Sequence, residues 1–223
     1  MAAQPATLLG LQKTNLRDQA LDALRRAITS GELRPSSALV ETELSERLQI
    51  SRGTLREALR QLQQEGLAVI GARGRLYVRH LDDKEIRDIF VVRAALESTA
   101  AALLAERDDR QESVAGLSSA LDLMDAAGDG DLEARIESDL SFHRLLCRLT
   151  GNETLVHSWT SLEGSIRMSI MWAGKSRAVG NMDTDRHRRI VEAIGSGDGA
   201  AASASVAEHM TWAAANLSAD ISA

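Results

Sequence analysis

Apolar residues recur along most of the chain at three- and four-residue spacing, the signature of helices that bury one face. Residues 1–13 lack periodicity and read as a flexible arm. Leu16, Ala20, Leu24, Ala27 and Ile28 then line one face of a helix over 16–30, with Gly31 placed to end it in a left-handed turn. A connector, Leu33–Val40, contains Pro35. The pattern next predicts a short helix, Glu43–Leu48, with Thr42 as N-cap, and a tight turn at Gln49-Ile50-Ser51. A longer helix from Arg52 to Glu65 has Leu55, Ala58, Leu59 and Leu62 on its inner face, and Gly66 ends it. Ala68–Ile70 and Leu76–Val78 are strand-like, two short strands joined through Gly71-Ala72-Arg73-Gly74-Arg75, a hairpin tip carrying two arginines.

From Asp82 onward the helical period is nearly unbroken. It predicts six helices, at about 83–105, 111–127, 131–149, 153–173, 184–195 and 199–220, with Gly128 and Gly151 closing the second and third. The first of these carries Ile86, Ile89, Phe90, Arg93, Ala94, Leu96, Glu97 and Ala100 on a broad inner face. The expected fold class is therefore mainly α. A winged helix-turn-helix with a small β-wing over 14–80 precedes an antiparallel six-helix bundle over 81–223.

Composition agrees with this and excludes several function classes. The only prolines are Pro5 and Pro35, so no helix beyond residue 36 is interrupted by one. The single cysteine, Cys147, excludes an intrachain disulfide and a Cys-based zinc cluster, and reads as a small core residue in a reducing, cytoplasmic protein. No apolar run is long enough to cross a membrane. Met-Ala-Ala-Gln-Pro-Ala has no basic segment leading into an apolar one, so no secretion signal is expected. Neither a Walker-type phosphate loop nor a GxGxxG follows a predicted strand.

The formal charge of −6 argues against nucleic acid until it is divided. Residues 1–80 hold 12 Lys+Arg and 8 Asp+Glu, whereas 81–223 hold 14 and 24, so a basic module of +4 is joined to an acidic one of −10. In a helix-turn-helix the N-terminal residues of the second helix meet the base edges of the major groove. Here that turn offers Ser51, Arg52, Thr54 and Arg56. Arginine bonds bidentately to guanine, while Ser, Thr and a helix N-terminus suit phosphates. Arg73 and Arg75 at the hairpin tip would lie along the backbone or the minor groove. The same residues also fit a solvated helix face and an ordinary turn.

The residues Gly31-Glu32-Leu33-Arg34-Pro35, Glu41-Thr42-Glu43-Leu44-Ser45 and above all Ser51-Arg52-Gly53-Thr54-Leu55-Arg56-Glu57-Ala58-Leu59 closely resemble the DNA-binding domain of the GntR family of bacterial transcription regulators, without gaps over about 16–79. The resemblance implies DNA contacts by Ser51, Arg52, Thr54, Arg56 and the wing glycine Gly74. Two departures alter the expectation. Pro35-Ser36 stands where Pro-Gly is usual, and Gly53 stands where a side chain is common, which removes one base or phosphate contact.

In the acidic half, Asp139 and His143 lie four apart, on one helix face with about 6 Å of rise between them. His187 falls in the first turn of the fifth predicted helix and His209 in the middle of the sixth. Three imidazoles and a carboxylate from facing helices can chelate a divalent metal. Equally, an Asp–His pair at this spacing occurs without metal, and single histidines fit a core or a surface. Val92-Arg93 with Leu96-Glu97, Asp139-Leu140-Ser141-Phe142-His143, His187-Arg188-Arg189-Ile190 and His209 resemble the FCD ligand-binding domain of FadR-type GntR regulators over most of 82–212. Six helices would suit its shorter, VanR-like variety.

That resemblance implies that Asp139, His143, His187 and His209 hold one divalent metal ion (zinc, nickel, manganese, cobalt or iron) and that it helps to hold a small carboxylate effector. Arg93 is the effector candidate on the first helix, although a buried Arg93–Glu97 pair is an equal account. Asn152 and Arg167 are further effector-binding candidates, Asn152 fitting the N-cap of the fourth helix at least as well. The expected function is a ligand-responsive regulator, a repressor, that binds a palindromic double-stranded operator as a homodimer and is not an enzyme. Two alternatives stay open: a metalloenzyme acting on a small organic acid, and a regulator in which the metal itself is the signal.

Overall fold

The computed structural model of the chain describes residues 16–127, 132–173 and 175–218; the predicted arm at 1–13 and the helix end at Gly128 lie outside them. The DNA-reading half is built from α1 (Leu16–Thr29), α2 (Glu41–Leu48), α3 (Arg52–Gln64), β1 (Ala68–Ile70) and β2 (Leu76–Val78). Both strands lie where the sequence placed them, and they pair antiparallel with Ala68 opposite Val78 and Ile70 opposite Leu76. The connector after α1 joins the wing too. Ala38 bridges Tyr77, and the Leu39 N–H donates to the Leu76 carbonyl at 2.8 Å.

The core of this half packs Ala20, Leu21, Leu24 and Ile28 of α1 against Leu55, Ala58, Leu59 and Leu62 of α3. On α1 the buried stripe is rotated from the predicted one: Leu21 is inside, whereas Leu16 is 58% exposed. α2 begins two residues before its predicted start, with Val40 as N-cap and no side-chain cap bond, so Thr42 sits inside the first turn. Ser36 adopts φ +61, a left-handed conformation that glycine reaches without steric cost. The turn after Pro35 thus places a serine in a conformation that favours glycine.

The helical half comprises α4 (Asp83–Ala105), α5 (Arg110–Ala126), α6 (Leu132–Leu149), α7 (Glu153–Trp172), α8 (Lys175–Asn181), α9 (Thr184–Gly195) and α10 (Gly199–Ser218). All six predicted helices are present. The count of six is nevertheless corrected to seven among the described residues, because the stretch expected to connect α7 to α9 folds as the short α8. Its sequence, KSRAVGN, has too few apolar residues to show a period. Tertiary contacts hold it instead: the Asn216 amide donates to the Arg177 carbonyl at 2.9 Å and to Asn181 Oδ1 at 3.0 Å.

α4 packs along α10 on one side and against α6 and α7 on the other, while α5 lies against α6 and α9. Asp82 opens α4 with a capping box, its carboxylate accepting from the Glu85 N–H and Glu85 accepting from the Asp82 N–H. On the inner face of α4, Ile86, Phe90 and Ala100 are buried as expected, and so are the charged Arg93 and Glu97. No helix among the described residues is long and apolar enough to cross a membrane.

Candidate functional site

At the DNA-reading surface, Ser51 is the N-cap of α3: its Oγ accepts from the Thr54 N–H at 3.1 Å and lies 2.9 Å from Thr54 Oγ1. Arg52, Gly53 and Arg56 follow on the exposed side of the helix. The Arg56 side chain is 62% exposed, with Nε donating to Glu41 Oε2 at 2.7 Å. Glu41 thereby fixes the reach of Arg56 without covering it. The wing tip turns through Arg73 at φ +62 and Gly74 at φ +72, which leaves Arg73, Gly74 and Arg75 all exposed. Between α3 and the wing runs a groove of ≈ 550 Å³ flanked by Arg56, Arg60 and Arg75. Every predicted DNA-contact residue thus lies on α3's N-terminal turns or on the wing.

The four residues expected to hold a metal come from three helices and converge inside the bundle. Asp139 and His143 lie on α6, His187 on α9 and His209 on α10, all of them buried. His143 Nε2 and His187 Nε2 are 3.0 Å apart. Asp139 Oδ1 is 3.1 Å from His187 Nε2 and 3.9 Å from His143 Nε2. One ring nitrogen from each of the three histidines lies within 4.8 Å of the others.

The outer ring nitrogens set the tautomers. His143 Nδ1 donates to Glu97 Oε2 at 2.6 Å, and His187 Nδ1 donates to the Asp183 carbonyl at 2.8 Å. With both Nδ1 atoms donating outward, the two Nε2 atoms face each other beside the Asp139 carboxylate, and a positive charge placed there, a proton or a metal ion, relieves their repulsion. Ligand atoms about 2.1 Å from one ion lie about 3.0–3.4 Å from each other, a range that holds the His143–His187 and Asp139–His187 separations, whereas Asp139–His143 is wider at 3.9 Å. Among the described residues, His209 Nδ1 is buried without a hydrogen-bond partner.

Electrostatics act in the same direction. Burial alone would raise the Glu97 carboxyl, but the Arg93 guanidinium and then His143 hold it at about 2, so it is ionised and accepts from three donors. Besides His143, these are Arg93 Nε at 2.7 Å and the Trp159 indole N–H at 2.7 Å, both to Oε1. Burial lowers His143, with Glu97 opposing, and lowers His209 well below the usual imidazole range, helped by His187 and His143. Asp139 is held low against its own burial by the His187 hydrogen bond and by His143. Neutral histidines beside ionised carboxylates are the forms that bind metal.

Of the three effector candidates, only Arg93 reaches this region. It forms the buried pair with Glu97, and its Nη2 has no hydrogen-bond partner among the described residues. Asn152 is exposed and caps α7, Oδ1 accepting from the Leu155 N–H at 3.1 Å, as its N-cap reading expected. Arg167 pairs with Glu137 and lines a cleft of ≈ 610 Å³ where the two halves meet, away from the histidine cluster. Cys147 is a buried core residue whose thiol is pushed up by burial. Sequence reasoning missed Glu97 and Trp159 as the residues that orient His143. The available signal was a carboxylate on the apolar face of a helix, which must have buried partners.

A winged helix-turn-helix joined to a helical domain with an internal polar cluster is the architecture of a DNA-binding transcription regulator. Two family descriptions match: the FCD domain over residues 88–211 and bacterial regulatory proteins of the gntR family over 16–78. The chain belongs to the gntR family and carries its FCD domain. It is 29% identical over 206 residues, 92% of this chain and 90% of the other, to a Paenarthrobacter nicotinovorans protein named "Probable D-xylose utilization operon transcriptional repressor". It is 26% identical to the HTH-type transcriptional regulator LutR of Bacillus subtilis, covering 82% of this chain and 93% of that one. Among solved structures, E. coli McbR/YncC superposes with a TM-score of 0.68 at 20% identity, over 92% of this chain and 98% of that one. A Rhodococcus sp. RHA1 GntR protein gives 0.72 at 22%, over 90% and 96%. The family consists of transcription regulators rather than enzymes, which removes the metalloenzyme alternative.

Proposed function

We propose that this regulator binds one divalent metal at Asp139, His143, His187 and His209, and that a small carboxylate effector bound there alters its affinity for a palindromic operator, which it binds as a homodimer. The facing Nε2 atoms of His143 and His187, 3.0 Å apart with Asp139 beside them, carry the reading. A bound ion would supply positive charge and open positions for a carboxylate. The chain's own residues do the rest. Glu97 holds the His143 ring, the Asp183 carbonyl holds the His187 ring, and the unpaired Arg93 Nη2 offers a buried donor to an anion.

At the other end, Ser51, Arg52, Thr54 and Arg56 read the major groove while Arg73, Gly74 and Arg75 follow the backbone or the minor groove. Two such modules are needed, because one module of +4 neutralises few phosphates and a palindrome presents two half-sites. Repression matches the printed name of the Paenarthrobacter relative.

The test is elemental analysis of natively purified wild type and His187→Ala. About one metal ion per chain is expected in the wild type, and a large loss in the variant, with operator binding by the free protein retained. Equal, near-zero metal in both overturns the reading. A regulator in which the metal itself is the signal differs in one measurement: zinc alone then shifts operator affinity fully, and added carboxylates change nothing further.

A further inference from the structure

The recognition helix ends against the sensor domain. Gly164, in α7, approaches the end of α3 so closely that a Cβ there would lie 1.1 Å from the Glu65 carbonyl oxygen and 3.2 Å from the Gly66 nitrogen. No side chain fits, so glycine is what allows the two backbones to meet. The next residue, Ser165, accepts a hydrogen bond from Arg79 Nη1 at 2.6 Å. The Arg79 backbone N–H in turn donates to the Leu67 carbonyl at 3.0 Å, tying the exit of the wing to the turn after α3. From the far side, Arg25 of α1 holds the Glu65 carboxylate through Nε at 3.0 Å and Nη2 at 2.5 Å. The end of α3 is therefore clamped between α1 and α7.

The same α7 reaches the histidine cluster. Trp159, five residues before Gly164, is fully buried and donates to Glu97, the carboxylate that accepts from His143. Five residues of helix separate the two contacts by about 7.5 Å along the axis and about 140° around it, so opposite sides of one stiff helix face the two domains.

We propose that α7 couples the two functions: Gly164 and Ser165 are positioning residues through which the state of the histidine cluster sets the pose of the recognition helix. This rests on the metal reading above, with zinc alone producing part of the shift in operator affinity that a bound carboxylate completes. Glu97 is shared among His143, Arg93 and Trp159, so a shift of the His143 ring toward a ligand draws the carboxylate and the indole with it. Packed helices respond by small rigid displacements rather than by bending. Because backbone meets backbone at Gly164, no flexible side chain absorbs such a displacement before it reaches Glu65. The effect on DNA equals the difference in ligand affinity between the two poses.

The experiment uses the full chain, zinc as the probe, and a duplex selected by the wild type from a random-sequence pool. Zinc is expected to change wild-type operator affinity by roughly fivefold or more. Gly164→Ala is expected to reduce that change to about twofold or less while zinc affinity by calorimetry stays within about threefold of wild type. Deuterium uptake over residues 62–68 should rise in Gly164→Ala without zinc. Ser165→Ala, which adds no atoms, should show the same changes in smaller measure and serves if Gly164→Ala fails to fold. Full retention of the zinc response in both variants overturns the proposal, as does wild-type zinc binding with no effect on operator affinity. If the wild type takes up no zinc, the metal reading fails, and Trp159→Phe decides the coupling alone. It must raise deuterium uptake over 62–68, although no hydrogen bond among the described residues links Trp159 to that segment, and unchanged uptake overturns the coupling.

Discussion

Replacing Glu97 by glutamine changes one atom and disturbs three partners at once. Glu97 is fully buried and accepts from His143 Nδ1 at 2.6 Å, Arg93 Nε at 2.7 Å and the Trp159 indole at 2.7 Å. The amide keeps one acceptor oxygen but brings two donors into a site that already has three. Arg93, 2% exposed, is left without its counter-charge. Breaking a buried ion pair by removing one partner costs about 3–5 kcal/mol. For a chain of this size each kcal/mol moves the melting temperature by about 2–4 °C, so a fall of about 6–20 °C is expected for metal-free Glu97→Gln. Loss of the residue that orients a ligating histidine weakens metal affinity by about 10–100-fold.

Thermal unfolding without metal and zinc calorimetry measure the two quantities separately. A double variant, Arg93→Met with Glu97→Leu, separates their causes. It removes both charges, so much of the lost stability should return, while zinc affinity stays low because His143 still lacks its acceptor. A fall below about 2 °C in Glu97→Gln with zinc affinity within about threefold of wild type would refute the reasoning.

Acid should destabilise the metal-free protein in two stages. His143 and His209 are held below their ordinary values, chiefly by burial, so the unfolded chain binds more protons once pH falls below about 6.5. Stability present above that pH is then lost by up to about 1.4 kcal/mol per pH unit for each imidazole. Glu97, at about 2, adds a further loss as pH falls below its usual range. Urea midpoints that stay level between pH 7.5 and 5.5 would contradict the first stage. Arg56→Ala should weaken specific operator binding by about 1–3 kcal/mol and blur one operator position, read by gel shift against single-base variants. Asn152→Ala should lower stability by about 1 kcal/mol through loss of the α7 cap and leave zinc affinity unchanged, and a large change in zinc affinity would return Asn152 to the site.

The division of charge into a basic and an acidic part, the order of the elements and both wing strands were legible in the chain, because apolar period and turn residues are local properties. Asp139 and His143 could be placed on one helix face for the same reason. Their partners could not be placed from spacing alone, since His187 and His209 reach the cluster only through the packing of α6, α9 and α10. Arg167 shows the limit plainly: its place on α7 was legible, but only the packing of that helix turns it toward the cleft between the two halves. Asn152, by contrast, was legible as the N-cap of α7 from the residues alone.

By itself the sequence determined that a basic helix-turn-helix module precedes an acidic helical domain, and which residue types each could offer. Only the tertiary structure decided that α8 forms, that Glu97 and Trp159 orient His143, and that Gly164 lets α7 touch the end of α3. The physical reason is common to all three. Each depends on atoms from helices far apart in the chain approaching within hydrogen-bond or van der Waals distance, and no local pattern records such an approach.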